Sequence, residues 1–265
     1  MQRNMDKDMD VEMTDVDHKE DEQYDEEGDT TTKRPPAYRQ QSETVSQFLT
    51  RLPPSTTTAA SVGPWIWLIQ RARPDPSPHT REDIGNHIGR GAQLLRAFRE
   101  KTSALRAEYR DQPQSALERK ITVERKKLEV DILETARTNK ILSGKWMLFP
   151  SVKTVDRVWR IVAEATAKGQ LGIGAKVATD GGNSGPGATA PPRLICVYTA
   201  DFADKEEIWR VLVRMKELSL FRTGEGERPI YYKCDAYTWL EIMGNNGYGL
   251  RPSMYSSTEV LKWKK

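Results

Sequence analysis

Three lysines stand next to small or aromatic residues in segments that have the pattern of β-strands. Because side chains alternate between the two faces of a strand, the pattern groups Lys145 with Met147 and Phe149, Lys176 with Gly174, and Lys233 with Tyr231. If these faces coincide in one sheet, they form a basic and aromatic surface of the kind that contacts phosphates and stacks bases. The candidate RNA- or phosphate-binding residues are therefore Lys145, Lys176, Lys233, Tyr231 and Arg251. In the alternative interpretation, each lysine extends past a sheet edge into water and binds no ligand.

No short motif of an enzyme or a cofactor site accompanies these lysines. Gly144-Lys145 is followed by Trp146 rather than Ser or Thr, so it is not a phosphate-binding loop. The sequence contains no G-x-S-x-G, H-E-x-x-H or C-x-x-C pattern. The two cysteines and three histidines lack zinc-site spacing. The sequence therefore predicts a protein that is not an enzyme, with no catalytic residue, metal or cofactor, although a site assembled from distant residues stays open.

Charge is distributed unevenly along the chain. Residues 1–30 hold 13 Asp and Glu against 3 Lys and Arg, whereas the rest of the chain has a net charge of +13. Such a pattern fits a polyanion-binding surface with a competing intramolecular tail, and it equally fits an extension that only increases solubility. RNA is therefore one expected partner. Protein partners, bound through a helical face or the acidic tail, are the other.

Composition divides the chain into two parts. Residues 1–62 read as a disordered acidic tail followed by a Pro/Ser/Thr linker, because they offer few large apolar groups. Residues 63–265 contain all seven tryptophans and read as one folded domain. A chain that starts near Ser61 is thus expected to melt at nearly the full-length temperature. The absence of a long apolar run predicts a cytoplasmic protein that binds no membrane, and it leaves the nucleus open as a second compartment.

The spacing of apolar residues predicts the helices and strands that must position the lysines. Helices are predicted from Thr80 to about Arg110, with Ile84, Ile88, Leu95 and Phe98 among their apolar residues, and along the stripe of Leu117, Ile121, Leu128, Ile132 and Ala136. Strands and helices then alternate in the order strand 144–149, helix 154–168, strands 174–178 and 193–199, a helix from Asp204, and strand 230–234. A further strand is predicted at Trp65–Ile69. Trp146, Trp159 and Trp209 are assigned to the core.

The second half of the chain resembles two related groups of proteins. One likeness is carried by Gly144-Lys145-Trp146, an inward Trp159, Gly174-Ala175-Lys176-Val177, the strand Leu194 to Tyr198, Trp209 and the strand Ile230 to Lys233. These look like the second half of the cap-binding translation initiation factor 4E fold. A closer likeness is to the domain-of-unknown-function 1917 family, related to basophilic leukaemia-expressed protein, which has that same fold. It is carried by Gly144-Lys145-Trp146, Ala175-Lys176-Val177, Tyr232-Lys233-Cys234-Asp235-Ala236-Tyr237-Thr238 and Asn245-Asn246-Gly247-Tyr248-Gly249-Leu250-Arg251-Pro252.

The resemblance, which covers about residues 63–258, implies an α+β fold. Its curved antiparallel or mixed sheet should have helices packed on one face. The initiation factor holds methylguanine between two tryptophans, but the matching stretches 70–80 and 137–143 contain none. Trp65 matches a structural tryptophan of the first strand, and Lys176 matches in kind a strand that bears phosphate contacts. The expected function is thus RNA or phosphate binding on a basic concave face without cap selection, with a protein-interaction adaptor as the alternative.

Overall fold

A computed structural model describes residues 34–70, 79–181 and 191–263. The acidic segment 1–30, and most of the glycine-rich loop predicted at 179–192, lie outside these residues. In chain order the elements are α1 Val45–Arg51, α2 Ala59–Val62, β1 Trp65–Ile69, α3 Arg81–Glu108, α4 Gln114–Thr138, β2 Gly144–Leu148, α5 Val152–Ala167, β3 Gly174–Ala178, β4 Ile195–Thr199, α6 Lys205–Glu217, β5 Tyr231–Cys234, α7 Asp235–Trp239, β6 Tyr255–Ser256 and α8 Ser257–Val260. The described residues group into two compact units, a helical unit (79–142 and 234–254) and a sheet unit that contains the other described residues.

The sheet has six strands in the order β1-β3-β4-β2-β5-β6. The pairs β1–β3, β3–β4, β4–β2 and β5–β6 are antiparallel. The α+β class and the predicted strands are confirmed, whereas β6 and its following helix α8 were not predicted. In the sheet unit, α5 packs on β1 and β3, and α6 packs on β4.

One face of the sheet is apolar and is joined to α6. Trp146 is completely buried, and its indole Nε1 donates a hydrogen bond to the carbonyl of Ile208 in α6 at 3.3 Å. The buried Tyr232 packs edge-on against Trp146 with ring centroids 5.3 Å apart. Its hydroxyl pairs with the Thr199 hydroxyl at 2.6 Å. Gly144 is required here because a Cβ at this position would overlap the Tyr232 hydroxyl.

The folded region begins before residue 63, where the sequence analysis placed its start, because residues 34–62 are folded as well. Segment 37–39 lies beside β1, where the amide of Trp67 donates to Ala37 and the amide of Arg39 donates to Trp67. Helix α1 begins at a capping box formed by Thr44 and Gln47. Its Phe48 is fully buried against the edge of Trp159, with ring centroids 6.4 Å apart. This segment is therefore part of the sheet unit rather than a linker.

In the helical unit, the consecutive long helices α3 and α4 pack together, and the short helix α7 contacts both. All five residues of the predicted α4 stripe are buried. In α3 the prediction was wrong at Ile88, which is 40% exposed, because the buried stripe runs through His87 and Gly91 instead. Gly91 has a packing reason, since a Cβ there would overlap the side chain of Leu240.

His87 is a fully buried histidine in this unit. Its ring Nε2 lies 3.1 Å from the carbonyl oxygen of Ala236 in α7. Because a carbonyl oxygen only accepts, Nε2 carries the proton and donates the hydrogen bond. The other ring nitrogen, Nδ1, has no hydrogen-bond partner among the described residues. Burial lowers the pKa of His87, and the hydrogen bond to Ala236 offsets only part of that effect.

The lowered pKa of His87 predicts a loss of stability in mild acid. The unfolded chain binds a proton below about pH 6.5, whereas the folded chain binds it only at lower pH, so stability falls as pH decreases from about 6.5 towards the folded pKa. We expect His87→Gln to reduce this pH dependence, measured as the free energy of urea unfolding at pH 7.5 and pH 5. Equal pH dependence in the two proteins would show that His87 does not contribute it.

The burial of α1 predicts that residues 34–60 stabilise the sheet unit. Buried Phe and Leu side chains each contribute roughly 1.5–3 kcal/mol. We therefore expect a chain that begins at Ser61 to melt at least about 6 °C below one that begins at Arg34, followed by circular dichroism. Phe48→Ala in the longer chain should reproduce part of the decrease. Equal melting midpoints would show that residues 34–60 act as a linker and do not stabilise the sheet unit.

Candidate functional site

The strand register brings the sequence-predicted lysines of β2 and β3 to the same face of the sheet. On β4, Tyr198 lies opposite Lys145 on one side and Gly174 on the other. Lys176, two residues after Gly174, lies opposite Trp67 of β1. These side chains therefore project from the face opposite to Trp146.

The last strand adds to this face. Tyr231 packs against a buried cluster of Met147, Leu194, Cys196 and Tyr198. Lys233 shares the Tyr231 face of β5 by strand alternation. We call this surface the lysine–aromatic face, and it consists of Trp65, Trp67, Lys145, Lys176, Tyr198, Tyr231 and Lys233.

The ammonium group of Lys176 lies among three aromatic rings. Its Nζ is 3.9 Å from the ring centroid of Trp65, 4.8 Å from that of Trp67 and 6.0 Å from that of Tyr198. The Nζ of Lys145 lies 5.5 Å from the same Tyr198 ring. Electron-rich ring faces attract a cation at such distances. Two positive charges and three π systems thus share one small region of the sheet.

The aromatic rings also contact one another across the strands. Trp67 stacks on Tyr198 with ring centroids 5.9 Å apart, and Tyr38 stacks on the Trp67 ring at 5.8 Å with an interplanar angle of 6°. Tyr38 belongs to the segment beside β1, so the N-terminal chain supports this row of rings. Sequence reasoning did not assign Trp67 and Tyr198 to the site. The W-x-W spacing of Trp65 and Trp67 could have indicated part of this site from the sequence, because it puts both rings on one face of a strand.

Burial changes how the three lysines can act. The exposed fractions of Lys145, Lys176 and Lys233 are 3%, 1% and 5%. The sequence-based expectation placed them on the surface, and it took no account of the aromatic rings that lie around the ammonium groups of Lys145 and Lys176. Trp65, Trp67 and Tyr231 are half-buried. The accessible part of the face is therefore aromatic, with positive charge beneath it.

Two further residues differ from the sequence-based picture. Arg251 is exposed and belongs to the helical unit. Trp209, predicted to lie in the core with Trp146 and Trp159, is only half-buried. The buried stripe of α6 runs through Ile208, Val211, Leu212 and Met215, and Trp209 projects beside it. Trp146 and Trp159 are completely buried, as predicted.

The described residues contain no group of three or more His, Cys, Asp and Glu side chains placed to hold a metal ion. Cys196 and Cys234 are both buried and form no disulfide. Within residues 34–70, 79–181 and 191–263, no helix is both long and apolar enough to cross a membrane.

One known protein family matches a stretch of the chain that includes every strand of the sheet except the last, and most of the helical unit. The model of the family described as basophilic leukemia-expressed protein Bles03 matches residues 1–241. The chain belongs to the Bles03 family. This family is also known as domain of unknown function 1917, so the resemblance seen in the sequence is confirmed. The match includes residues 34–62, in agreement with the ordered contacts of α1.

The burial of Lys176 predicts that its replacement by an acid damages the fold. A carboxylate at this position would face the negative ring faces of Trp65 and Trp67 in a nearly dry site. We expect Lys176→Glu to lower the free energy of unfolding by roughly 3 kcal/mol or more, whereas the neutral Lys176→Met costs considerably less. The measurement is urea unfolding followed by tryptophan fluorescence.

Lys153 provides the matched control, because its side chain is exposed on α5. Lys153→Glu should shift stability by no more than about 0.5 kcal/mol. If Lys176→Glu proved equally mild, the lysine would not be enclosed by the aromatic rings in solution.

Proposed function

We propose that this Bles03-family protein is a non-enzymatic binder of single-stranded RNA that uses the lysine–aromatic face. The observation that carries the proposal is the convergence of Lys145 and Lys176 on the rings of Trp65, Trp67 and Tyr198. Single strands are recognised by rings that stack bases, combined with positive charge that attracts the backbone. The net charge of +13 outside residues 1–30 supports the same ligand class.

In the proposed mode of binding, bases stack on the accessible rings, and the buried ammonium groups act mainly through their electric field. The half-buried Trp65, Trp67 and Tyr231 supply stacking surfaces. Stacking of one base on an aromatic side chain contributes roughly 1–3 kcal/mol. This differs from the sequence-based expectation, in which each lysine contacts one phosphate directly.

We further propose that the sheet unit is a variant of the initiation factor 4E fold that does not select the methylated cap. The antiparallel sheet and the position of α6 opposite the lysine–aromatic face support this likeness. The ammonium of Lys176 occupies the region among the three rings, where it repels a second cation. Methylguanine carries a positive charge, so its methylation brings no advantage here.

Binding of a fluorescent single-stranded RNA, measured by anisotropy in the full chain, tests this proposal. We expect Lys145→Met with Lys176→Met to weaken binding at least tenfold, while the exposed control Lys153→Met leaves it unchanged. Each phosphate contact lowers log affinity with a slope of about −0.7 against log salt. Buried lysines should give a slope shallower than −1, whereas three direct contacts would give about −2.

The same assay includes a specificity arm. Methylated cap analogue should compete with the RNA no better than unmethylated guanosine triphosphate. An absence of RNA binding at low salt, or equal binding by the double methionine variant, would contradict the RNA proposal. Selective competition by the methylated analogue would contradict the proposed loss of cap selection.

A protein-interaction adaptor is the second candidate function, and the surface around Trp209 favours it. Two shallow hollows, of about 320 and 440 Å³, are each lined in part by this half-buried residue. Aromatic side chains in such positions often act as anchors for a partner. The lining residues other than Trp209 are Gln170, Arg210, Val213, Arg214 and Glu217 in the first hollow, and Lys205, Glu206 and Trp263 in the second.

Purification from cells separates the two candidates. A protein that co-purifies after nuclease treatment, and that is lost with Trp209→Ala but kept with the double methionine variant, would favour the adaptor. RNA that is lost with the double methionine variant but kept with Trp209→Ala would favour the lysine–aromatic face.

A further inference from the structure

A glycine-rich turn in the helical unit is held in one conformation by its own side chains. Asn246 receives hydrogen bonds on Oδ1 from the amides of Tyr248 and Leu250, at 3.2 and 3.1 Å. Its amide nitrogen donates to the carbonyls of Met243 and Leu250, both at 2.7 Å. Gly249 has φ of 65°, a conformation that glycine adopts without strain. The turn 246–250 is therefore rigid.

Two arginines from different helices converge on this turn. Arg99 of α3 places its guanidinium 4.7 Å from the ring centroid of Tyr248. Arg125 of α4 donates from Nε to the carbonyl of Tyr248 at 3.2 Å. A Cβ on Gly249 would lie 3.0 Å from the Arg125 guanidinium, and one on Gly247 would lie 3.9 Å from Nη2 of Arg99. Both cations thus border the same three-residue stretch.

Most hydrogen-bonding capacity of these arginines is not used by the residues that the structure describes. A guanidinium has five N–H donors, and in Arg125 only Nε donates to a group within the described part of the chain. Arg99 makes its ring contact but donates no side-chain hydrogen bond to a described residue. Neither forms an ion pair with a carboxylate among residues 34–70, 79–181 and 191–263. The stretch 84–99 of α3 contains three arginines and no acid.

This arrangement suits a phosphate group. The guanidinium fork matches the spacing of two phosphate oxygens, and an arginine that is already fixed against a ring or a carbonyl loses little entropy on binding. Arg99 is exposed and Arg125 is half-buried, so an anion can approach them. A solely structural role for the pair would be to hold the turn, but Asn246 already does so from within the turn.

We propose that Arg99 and Arg125, together with the turn 246–250, form a binding site for a phosphate group of a nucleotide or nucleic acid. The site lies in the helical unit and does not depend on the lysine–aromatic face. Arg96, which is exposed three residues before Arg99 on α3, adds a third positive charge, and this favours an extended polyanion over a single phosphorylated side chain.

Pyrophosphate and a 5′-phosphorylated oligouridine serve as probes with the full chain. Arg99→Gln with Arg125→Gln should weaken pyrophosphate binding at least tenfold, and should weaken oligouridine binding at least tenfold in the Lys145→Met, Lys176→Met background. Arg106→Gln, an exposed change on the same helix, should leave binding unchanged. Arg99→Lys with Arg125→Lys keeps the charges and should give intermediate affinity. Binding of pyrophosphate is measured by calorimetry, and binding of the labelled oligonucleotide is measured by anisotropy.

The same measurements in a protein that lacks the two lysines of the sheet distinguish this site from the lysine–aromatic face. In the Lys145→Met, Lys176→Met protein, pyrophosphate should still bind and should still be lost with the glutamine pair. Pyrophosphate that binds without phosphorylated RNA doing so would assign the site to free nucleotides. Equal pyrophosphate binding by wild type and the glutamine pair, or none by wild type, would overturn the proposal. Tighter binding of a phosphopeptide than of the oligonucleotide would overturn the nucleic-acid assignment.

Discussion

The antiparallel register around β4 is the constraint on which the candidate face depends. Because successive side chains alternate across a strand, a slip of one residue would send Lys145 and Lys176 to the helix-covered side. Several contacts oppose such a slip. Trp146 bonds to the carbonyl of Ile208, and Tyr232 fills the space left by Gly144 while it pairs with Thr199. The packing of one face therefore fixes which groups the other face presents.

Two opposing free energies act on the buried lysines: the cost of removing an ammonium group from water and the attraction of that group to aromatic rings. Removing an ammonium group from water is unfavourable, and the faces of Trp65, Trp67 and Tyr198 return part of that free energy through cation–π attraction. The result is a face whose accessible surface is aromatic although its chemistry includes positive charge. Such a face favours stacking ligands over those held only by direct ion pairs. It also explains why substitution by an acid and by a neutral residue should differ in their effects on the fold.

The N-terminal segment shows how a short helix can depend on the rest of the protein. Isolated, α1 is too short to be stable in water. Its Phe48 is buried against Trp159 of α5, and segment 37–39 forms its hydrogen bonds with the edge strand β1. Covering that edge also removes a row of unpaired backbone groups that could otherwise join another chain. The family match over the same residues agrees with their place in the fold.

The amino-acid pattern by itself determined the α+β class, the strands β1–β5, the helices α3–α6, the buried stripe of α4 and the shared face of Lys145 with Met147. These features follow from the periods of single strands and helices. Only the tertiary structure decided that α1 is folded, that Trp209 is half-buried and that Lys145 and Lys176 are buried beside aromatic rings. It also brought Arg99 and Arg125 to one turn although they belong to different helices. Those features arise from contacts between residues far apart in the chain, and no local period encodes which distant side chains will meet.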